Sequence, residues 1–327
     1  KSVRKELEKQ GYRFVNNSGA VKICQWTKKD LLDKGRCYKS VFYGIRSYSC
    51  CQMSPWIVCE NKCLHCWRAI ELDMNKFIDK KIIDNPLEII DGCIKQQRKL
   101  IEGFNGNPKT NKQKYKEAQE PMQFAISLTG EPTLYPRLGE LIKELRKRKK
   151  TSFLVTNGLN PEVLERLNKN KQLPTQLYIS LNSPNEKLYN QWHNSKTKDA
   201  WKKFNETLKL FPKLKTRKVI RMTLVKNLND KNENIKEYAG LIKKANSDFI
   251  EVKSYMAIGF SRNRKGMGYE KMLSHKEIKA FAKKLADGLK KEDNSKNKYK
   301  ILNEHKLSRV VLIGKAKEEM KIKRSEI

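Results

Sequence analysis

Hydrophobic and polar residues alternate along most of the chain with two periods, one near two residues and one near 3.6 residues. Short apolar runs predict strands, and the longer segments between them have the spacing of amphipathic helices. The predicted strands are Met122–Leu128, Ser152–Thr156, Gln176–Leu181, Lys218–Val225 and Asp248–Ser254. The predicted helices are Val3–Gln10, Leu87–Phe104, Leu138–Lys149, Pro161–Asn168, Asp199–Leu210, Ile235–Ala245 and Ser274–Leu289. Strands that alternate with helices indicate parallel pairing through right-handed crossovers.

A further strand before Cys59 brings the number of predicted parallel strands to six. A closed barrel of this type has eight strands. The predicted fold class is therefore α/β, with a partial (β/α)6 TIM-like barrel. We expect three units along the chain: an N-terminal cysteine-bearing extension over residues 1–53, the barrel over residues 54–313 and a charged tail over residues 314–327.

The charge of the chain points to a polyanionic partner. Its 327 residues include 71 Lys and Arg against 36 Asp and Glu, a formal net charge of +35. Lys and Arg that neutralise phosphates release condensed counterions, so a partner rich in phosphate explains this excess most simply. Lysine enrichment of the whole proteome or a high growth temperature is the alternative. Three basic runs are either phosphate contacts or solvated helix ends: Arg146–Lys150, Lys213–Lys218 and Arg262–Lys265.

Targeting signals and cysteine usage suggest a cytoplasmic metalloprotein. No apolar run approaches the roughly 18 residues of a membrane helix, and the polar start Lys1–Arg4 does not resemble a signal peptide. We expect a soluble, cytoplasmic protein without a membrane partner. Seven of the eight cysteines lie between Cys24 and Cys66. Such crowding in a large cytosolic chain suggests metal binding more than disulfides.

Cys59, Cys63 and Cys66 have the spacing C-x3-C-x2-C. Three thiolates on one short loop can hold three corners of an iron–sulfur cube and leave the fourth iron open for a small ligand. A structural zinc loop with a fourth ligand such as Cys51 is the alternative. The spacing resembles the signature of the radical S-adenosylmethionine (SAM) enzymes, with His65 at a position that is usually aromatic. The resemblance implies a partial barrel and a 4Fe-4S cluster that binds SAM and splits it to a 5′-deoxyadenosyl radical.

Cys24, Cys37 and Cys50 form a second set, with twelve residues between each neighbouring pair. Three cysteines without a near fourth again suit a cluster with one open iron, whereas zinc needs a further ligand. We therefore expect a second 4Fe-4S cluster here, with zinc or free thiols as alternatives. Cys51 could replace Cys50 as a ligand.

Polar residues stand at the ends of the predicted strands, where parallel β/α folds gather their functional residues. The turn Thr129-Gly130-Glu131 resembles the Gly-Gly-Glu element with which radical SAM enzymes line the SAM amino group. Ordinary strand-end caps and ion pairs are the alternative for each residue taken singly. The candidate cofactor-binding residues are His65, Thr129, Gly130, Glu131, Thr156, Asn157, Ser180, Asn182, Arg221, Thr223 and Lys253.

Several stretches carry a more specific resemblance. They are Cys37-Tyr38-Lys39, Cys50–Pro55, Cys59–Arg68, Ser127–Pro132, Phe153–Asn157, Arg221–Lys226 and Asp248–Lys253. From about Cys24 to Leu312 the chain is similar to the tRNA 4-demethylwyosine synthases of wyosine synthesis, although Tyr48 and Ser49 replace the usual His-Arg. The chain is similar to the short archaeal form without a flavodoxin-like domain. This implies a separate flavodoxin- or ferredoxin-like electron donor.

The resemblance also implies a substrate and a reaction. The enzyme is expected to be a lyase that condenses N1-methylguanosine, beside the anticodon of tRNA(Phe), with two carbons of pyruvate to build a third ring. Pyruvate is expected to bind the open iron of the second cluster. Lys39 is the candidate catalytic residue, which either forms a Schiff base with pyruvate or contacts its carboxylate. A plain surface lysine is the alternative.

Two other functions remain open at this point. One is another radical SAM enzyme that modifies RNA, such as a methylthiotransferase, whose second cluster supplies sulfur. The other is a non-catalytic RNA-binding protein stabilised by zinc. For any RNA substrate, aromatic residues that stack a splayed base are expected near the barrel mouth, with Trp67, Tyr255 and Phe260 as candidates.

Overall fold

One mixed sheet organises the protein. The computed structural model describes residues 3–72, 78–291 and 299–327, and within these ranges it contains ten strands. They are β1 (Arg13–Val15), β2 (Gly19–Val21), β3 (Cys50–Ser54), β4 (Gln123–Ile126), β5 (Thr151–Thr156), β6 (Gln176–Ser180), β7 (Arg217–Leu224), β8 (Phe249–Ser254), β9 (Lys300–His305) and β10 (Val310–Gly314). Their order across the sheet is β1-β2-β3-β4-β5-β6-β7-β8-β10-β9.

The helices lie between the strands along the chain. They are α1 (Val3–Lys9), α2 (Gln25–Leu31), α3 (Tyr38–Tyr43), α4 (Pro86–Ile101), α5 (Lys112–Ala118), α6 (Leu138–Lys147), α7 (Pro161–Lys169), α8 (Glu186–His193), α9 (Ala200–Leu210), α10 (Ile235–Ala245) and α11 (His275–Lys291). Local sequence fixes several starts: the Asn85 side chain caps α4 ahead of Pro86, and the Asn185 side chain caps α8. Among the described residues, no helix has the length and hydrophobicity to cross a bilayer.

The partial barrel is confirmed. Strands β3 to β8 pair in parallel in chain order, and helices connect each to the next. The sheet does not close, because β3 pairs with β2 on its other side and β8 pairs with β10, both antiparallel. The predicted boundary at residue 53 falls within β3, and the division of the chain into three units stays a prediction.

A short helix fills part of the inside of the barrel. Tyr38, Phe42 and Tyr43 of α3 form one buried cluster with the aromatic side chains of Phe153 and Phe249. Tyr178 belongs to the same cluster. Since alternate residues of a strand share a face, Arg221 lies on the same face as Val219, and Glu251 on the same face as Phe249. The barrel interior therefore has an aromatic floor and polar residues above it, toward the carboxyl ends of the strands.

Candidate active site at the carboxyl ends of the strands

The cluster loop, residues 59–68, follows β3 and carries Cys59, Cys63 and Cys66. None of the eight cysteines of the chain is in a disulfide bond. The end of α8 holds the first half of this loop by backbone hydrogen bonds. The Lys62 N–H donates to the carbonyl of His193 at 3.0 Å, and the Leu64 N–H donates to the carbonyl of Trp192 at 3.1 Å.

One cation lies against the sulfur atoms of this loop. The Arg68 Nε donates a hydrogen bond to Cys66 Sγ at 2.9 Å. Burial raises the pKa of the Cys59 thiol to about 12, whereas the charge of Arg68 acts in the opposite direction. Iron binds thiolates rather than thiols, so Arg68 favours the form of the cysteines that a cluster needs.

The turn Thr129-Gly130-Glu131 packs against the backbone just before the cluster loop. The Glu131 N–H donates to the carbonyl of Val58 at 2.7 Å, and the Thr129 N–H donates to Ser54 Oγ at 2.7 Å. Gly130 has φ +75°, and a Cβ there would clash with the carbonyl oxygen of Trp56. Only glycine permits this close approach without strain.

The Glu131 carboxylate ties the turns after β4 and β5 together. It accepts hydrogen bonds from the Thr133 hydroxyl and the Thr156 hydroxyl, each at 2.7 Å, and from the Asn157 N–H at 2.8 Å. Burial, and next the charge of Glu60, raise its pKa to about 7. Both of its oxygens accept hydrogen bonds from the protein, so in this structure Glu131 stabilises the two turns.

Other buried polar atoms near these turns have no hydrogen-bond partner in the described part of the chain. Glu60 accepts from the Asn160 amide at 3.2 Å with one oxygen, but its other oxygen is buried and unpartnered. Asn157 Nδ2 is likewise buried and unpartnered, and so is Arg221 Nε on β7. Buried polar atoms are normally hydrogen-bonded, so these atoms call for a polar ligand or water. An unpartnered carboxylate oxygen on the cluster loop is suited to a cationic group of a ligand.

His65, Asn182 and Thr223 meet at the ends of three segments. The His65 Nδ1 accepts a hydrogen bond from the Trp192 indole, and its Nε2 lies 3.4 Å from the Asn182 amide nitrogen. Asn182 Oδ1 accepts from the Thr223 N–H at 3.0 Å. Burial holds the pKa of His65 well below its usual value, so this imidazole is neutral. Ser180 is half-buried at the end of β6, beside Arg221 in the sheet register.

Lys39 lies inside the barrel. Its side chain is buried with 8% exposure, and its Nζ stands 4.6 Å from the centroid of the Tyr178 ring. Burial lowers the pKa of Lys39, and it lowers the pKa of Lys253 to about 7, with the charge of Arg221 acting in the same direction. The alternative of a surface lysine at position 39 is wrong.

The carboxylate that faces these cations is Glu251, which is fully buried. It accepts hydrogen bonds from the Tyr38 hydroxyl at 2.9 Å and the Tyr43 hydroxyl at 2.8 Å. Lys39, Arg221 and Lys253 all interact electrostatically with it. Arg221 keeps its charge, whereas burial favours the neutral forms of Lys39 and Lys253. A bound anion would favour the charged forms of the two lysines, so three basic side chains around one carboxylate fit an anionic ligand.

The second set of cysteines is also brought together. Cys24 precedes α2, Cys37 precedes α3 and Cys50 begins β3. Burial raises the pKa of Cys50 well above its usual value, and the charges of Cys24 and Cys37 add to this effect. In the described ranges, no three His, Cys, Asp or Glu side chains converge on one metal-ion position. Each cysteine of a 4Fe-4S cube binds a different iron, so such convergence is not required of a cluster.

The basic runs divide by topology. Arg146–Lys150 precedes β5 and Lys213–Lys218 runs into β7, so both lie at the amino ends of the strands, away from the site. Arg262–Lys265 follows β8, on the same side as the cluster loop. Arg264 in this run is turned inward, whereas Arg262 and Lys265 are exposed.

Two of the aromatic candidates for base stacking are engaged within the protein. Tyr255 has 1% exposure, and its hydroxyl donates to the carbonyl of Met267. Trp67 stacks on Tyr12, with ring centroids 6.2 Å apart.

Sequence reasoning missed Tyr269, which follows β8 and is 68% exposed. It also missed Glu60, which directly follows a predicted ligand. The prediction placed Arg264 in a basic run as a phosphate contact or a solvated helix end, whereas its guanidinium is bonded to carbonyls of the cluster loop.

The fold and the cluster loop define a class of enzyme. The radical SAM superfamily matches residues 53–239, which include the end of β3, the four parallel strands β4 to β7 and the whole cluster loop. The protein is therefore a radical SAM enzyme, a class that uses a 4Fe-4S cluster and SAM.

A second family model and a curated relative show a narrower family. A family described as wyosine base formation matches residues 244–315. The S-adenosyl-L-methionine-dependent tRNA 4-demethylwyosine synthase of Pyrococcus abyssi is 43% identical over 308 residues, which cover 94% of this chain and 86% of the relative. The chain belongs to the tRNA 4-demethylwyosine synthase family.

Solved structures agree with this assignment. A structure described as TYW1 with a lysine-pyruvate adduct bound has a TM-score of 0.81 and 35% identity, and it covers 98% of this chain and 97% of its own. A structure of archaeal TYW1 has a TM-score of 0.75 and 34% identity, with 98% of each chain covered. Neither the zinc-stabilised binding protein nor the methylthiotransferase-like enzyme gains support from these relatives.

Proposed function

We propose that the chain is a lyase that condenses pyruvate with N1-methylguanosine beside the anticodon of tRNA(Phe), which gives 4-demethylwyosine. Family membership supports the reaction, since the Pyrococcus abyssi relative carries that name. The three basic side chains around the single carboxylate of Glu251 support pyruvate, because its carboxylate can pair with Arg221 and favour the charged form of Lys253. We place the reaction in the cytoplasm, where such a tRNA substrate would be met.

The chain's own residues divide into a cofactor group and a pyruvate group. Cys59, Cys63 and Cys66 hold the 4Fe-4S cluster. When bound, this cluster and SAM supply a 5′-deoxyadenosyl radical. Glu60 and Asn157 offer the unpartnered buried atoms that suit the polar end of SAM. The other candidate SAM-side residues, at or near the carboxyl ends of the barrel strands, are His65, Thr129, Gly130, Glu131, Thr156, Ser180, Asn182 and Thr223.

Cys24, Cys37 and Cys50 form the proposed second cluster site, which we place next to pyruvate. Cys37 directly precedes α3, which carries Lys39, and Cys50 begins the first barrel strand, whereas Cys24 precedes α2. We assign these cysteines to the extension over residues 1–53, the radical chemistry to residues 54–313 and no catalytic role to residues 314–327. A separate flavodoxin- or ferredoxin-like protein is proposed as the electron donor.

The single observation that carries the proposal is the buried amine of Lys39 beside Arg221 and Glu251. The amine adds to the keto carbon of pyruvate, a carbon–nitrogen double bond forms, and the keto oxygen leaves as water. Arg221 and Lys253 are suited to pair with the pyruvate carboxylate. A solved relative described with a lysine-pyruvate adduct supports this role for a lysine in the family.

Reductive trapping tests the assignment of Lys39. The reconstituted protein is incubated anaerobically with pyruvate and cyanoborohydride and then digested for peptide mass mapping. We expect a carboxyethyl group on Lys39, and we expect none in Lys39→Arg, because the guanidinium of arginine is a poor nucleophile. Lys253→Arg is the matched control, since Lys253 is a second interior lysine with a lowered pKa.

Three results bear on the proposal. Loss of trapping in Lys39→Arg with retention in Lys253→Arg would support it. Trapping on Lys253 in the wild type would reassign the nucleophile. An active enzyme that traps no pyruvate on any lysine would leave Lys39 with carboxylate contact alone.

A further inference from the structure

Arg264 lies in the loop after β8 and reaches back to the cluster loop. Its Nη1 donates hydrogen bonds to the carbonyl of Leu64 at 2.9 Å and to the carbonyl of Cys66. Its Nη2 donates to the carbonyl of Arg68 at 2.7 Å. One side chain thus binds three carbonyls on both sides of the third cysteine.

An ion pair fixes the guanidinium in this position. Arg264 Nε donates to the Glu71 carboxylate at 2.6 Å, and the Arg264 side chain is only 10% exposed. A guanidinium presents five N–H donors in a rigid plane, whereas a lysine ammonium has three donors at the end of a flexible stem. Lysine could not make the same set of bonds.

The backbone around Arg264 holds the same segment. The Phe260 N–H donates to the carbonyl of Trp67 at 3.0 Å. Gly259, with φ +59°, comes so close to Trp67 that a Cβ there would clash with its carbonyl oxygen. The loop after β8 therefore contacts residues 64–68, and the end of α8 is hydrogen-bonded to Lys62 and Leu64.

These hydrogen bonds connect two regions of the chain that match different family models. Arg264 lies in the region that matches wyosine base formation, whereas its three carbonyl acceptors lie in the region that matches the radical SAM superfamily. We infer that Arg264 is a positioning residue for the 4Fe-4S cluster: it sets the backbone of the cluster loop so that Cys63 and Cys66 present their sulfurs correctly. This inference rests on the radical SAM class alone and not on pyruvate or tRNA.

The test compares Arg264→Ala and Arg264→Lys with Arg262→Ala, an exposed arginine two positions away in the same loop. Each full-length protein is reconstituted anaerobically, and the rate at which an iron chelator removes iron is measured. The EPR spectrum of the reduced protein is recorded with and without SAM, since the SAM-dependent change reports the cluster at Cys59, Cys63 and Cys66. Thermal unfolding before reconstitution shows whether each variant folds.

We expect Arg264→Ala to lose iron at least about tenfold faster than the wild type and to lose the SAM-dependent EPR change, because outer groups that orient metal ligands typically affect metal affinity by 10–100-fold. Arg264→Lys should fall in between, and Arg262→Ala should match the wild type. Wild-type iron retention and an unchanged EPR response in a folded Arg264→Ala protein would overturn the inference. Equal losses in Arg264→Ala and Arg262→Ala would overturn it as well. Should Arg264→Ala not fold, Arg264→Lys decides by the same two measurements.

Discussion

Lys253 shows how one side chain in the barrel interior links stability to pH. Its pKa is about 7 in the folded protein, against an ordinary value of 10.5. Between these values the unfolded chain binds a proton that the folded protein has lost, so this residue makes stability rise as pH increases through that window. Below pH 7 the buried charge imposes its full cost.

Lys253→Met should remove this dependence. We expect the variant to gain most over the wild type at pH 6 and to lose that advantage as pH rises toward 9, with a slope of at most about 1.4 kcal/mol per pH unit. Urea unfolding of the protein without its cofactors at several pH values measures it. Lys276→Met, at an exposed position on α11, serves as the control and should show a pH-independent difference. A constant difference for Lys253→Met as well would contradict the prediction.

At the same scale, the sequence predicted several candidate residues that the structure places at one edge of the barrel, while their binding roles stay predictions. Thr129, Thr156 and Asn182 were predictable because the carboxyl ends of parallel strands meet at one edge of the barrel. Arg264 was not, because it contacts a carbonyl 200 positions earlier in the chain. The unpartnered oxygen of Glu60 depends on the packing around it, which no periodicity records.

Among the elements, α3 connects the proposed pyruvate lysine to the barrel. It carries Lys39 on a six-residue helix, and its two tyrosine hydroxyls bond to the buried Glu251 carboxylate. The aromatic rings below fix the helix by packing. The position of Lys39 therefore depends on Tyr38 and Tyr43.

Tyr43→Phe removes one of the two hydroxyl donors to Glu251 and leaves a carboxylate oxygen buried without it. We expect a loss of about 1–3 kcal/mol in the free energy of unfolding, since that is the typical cost of an unsatisfied buried polar group. Urea unfolding measures the loss. Tyr269→Phe is the control: its ring is 68% exposed, and the change should stay within about 0.5 kcal/mol. Equal effects of the two substitutions would show that the bond to Glu251 contributes nothing.

Long elements were predicted from sequence better than short ones. The parallel strands β4 to β8 and the helices from α4 to α11 with ten or more residues were predicted, although their ends moved by a few residues. The strands β1 and β2, of three residues each, and α3, of six, were missed. So few residues contain too few repeats for a period to be recognised. The hairpin β9–β10 was also missed, and it helps to keep the barrel open.

For the molecule as a whole, the net charge of +35 is the property that bears most on the proposed tRNA substrate. Exposed Lys62, Lys196 and Arg262 lie in loops on the cluster-loop side of the barrel. We expect them to contact phosphates of the RNA if, as in the proposed function, its target base enters the barrel mouth. The basic runs Arg146–Lys150 and Lys213–Lys218, at the amino ends of the strands, add to the positive electrostatic field of the protein but do not reach the site.

Affinity for tRNA should therefore fall steeply with salt. For about six neutralised phosphates, we expect a loss of about a thousandfold between 50 and 200 mM salt. Filter binding over a salt series measures the slope of log affinity against log salt. Lys62→Ala combined with Lys196→Ala should reduce that slope by about two. A slope near zero in the wild type would contradict a phosphate-driven interaction.

The two antiparallel hairpins that keep the barrel open also give the sheet two free edges, β1 and β9. A free edge exposes unpaired backbone groups that can pair with a strand of another molecule. Here β1 has only three residues, and β9 carries Lys300, Glu304 and His305 along a partly exposed strand. Short length and charge are two features that discourage such pairing. The open barrel should thus resist edge-to-edge aggregation at high protein concentration, even though its sheet does not close.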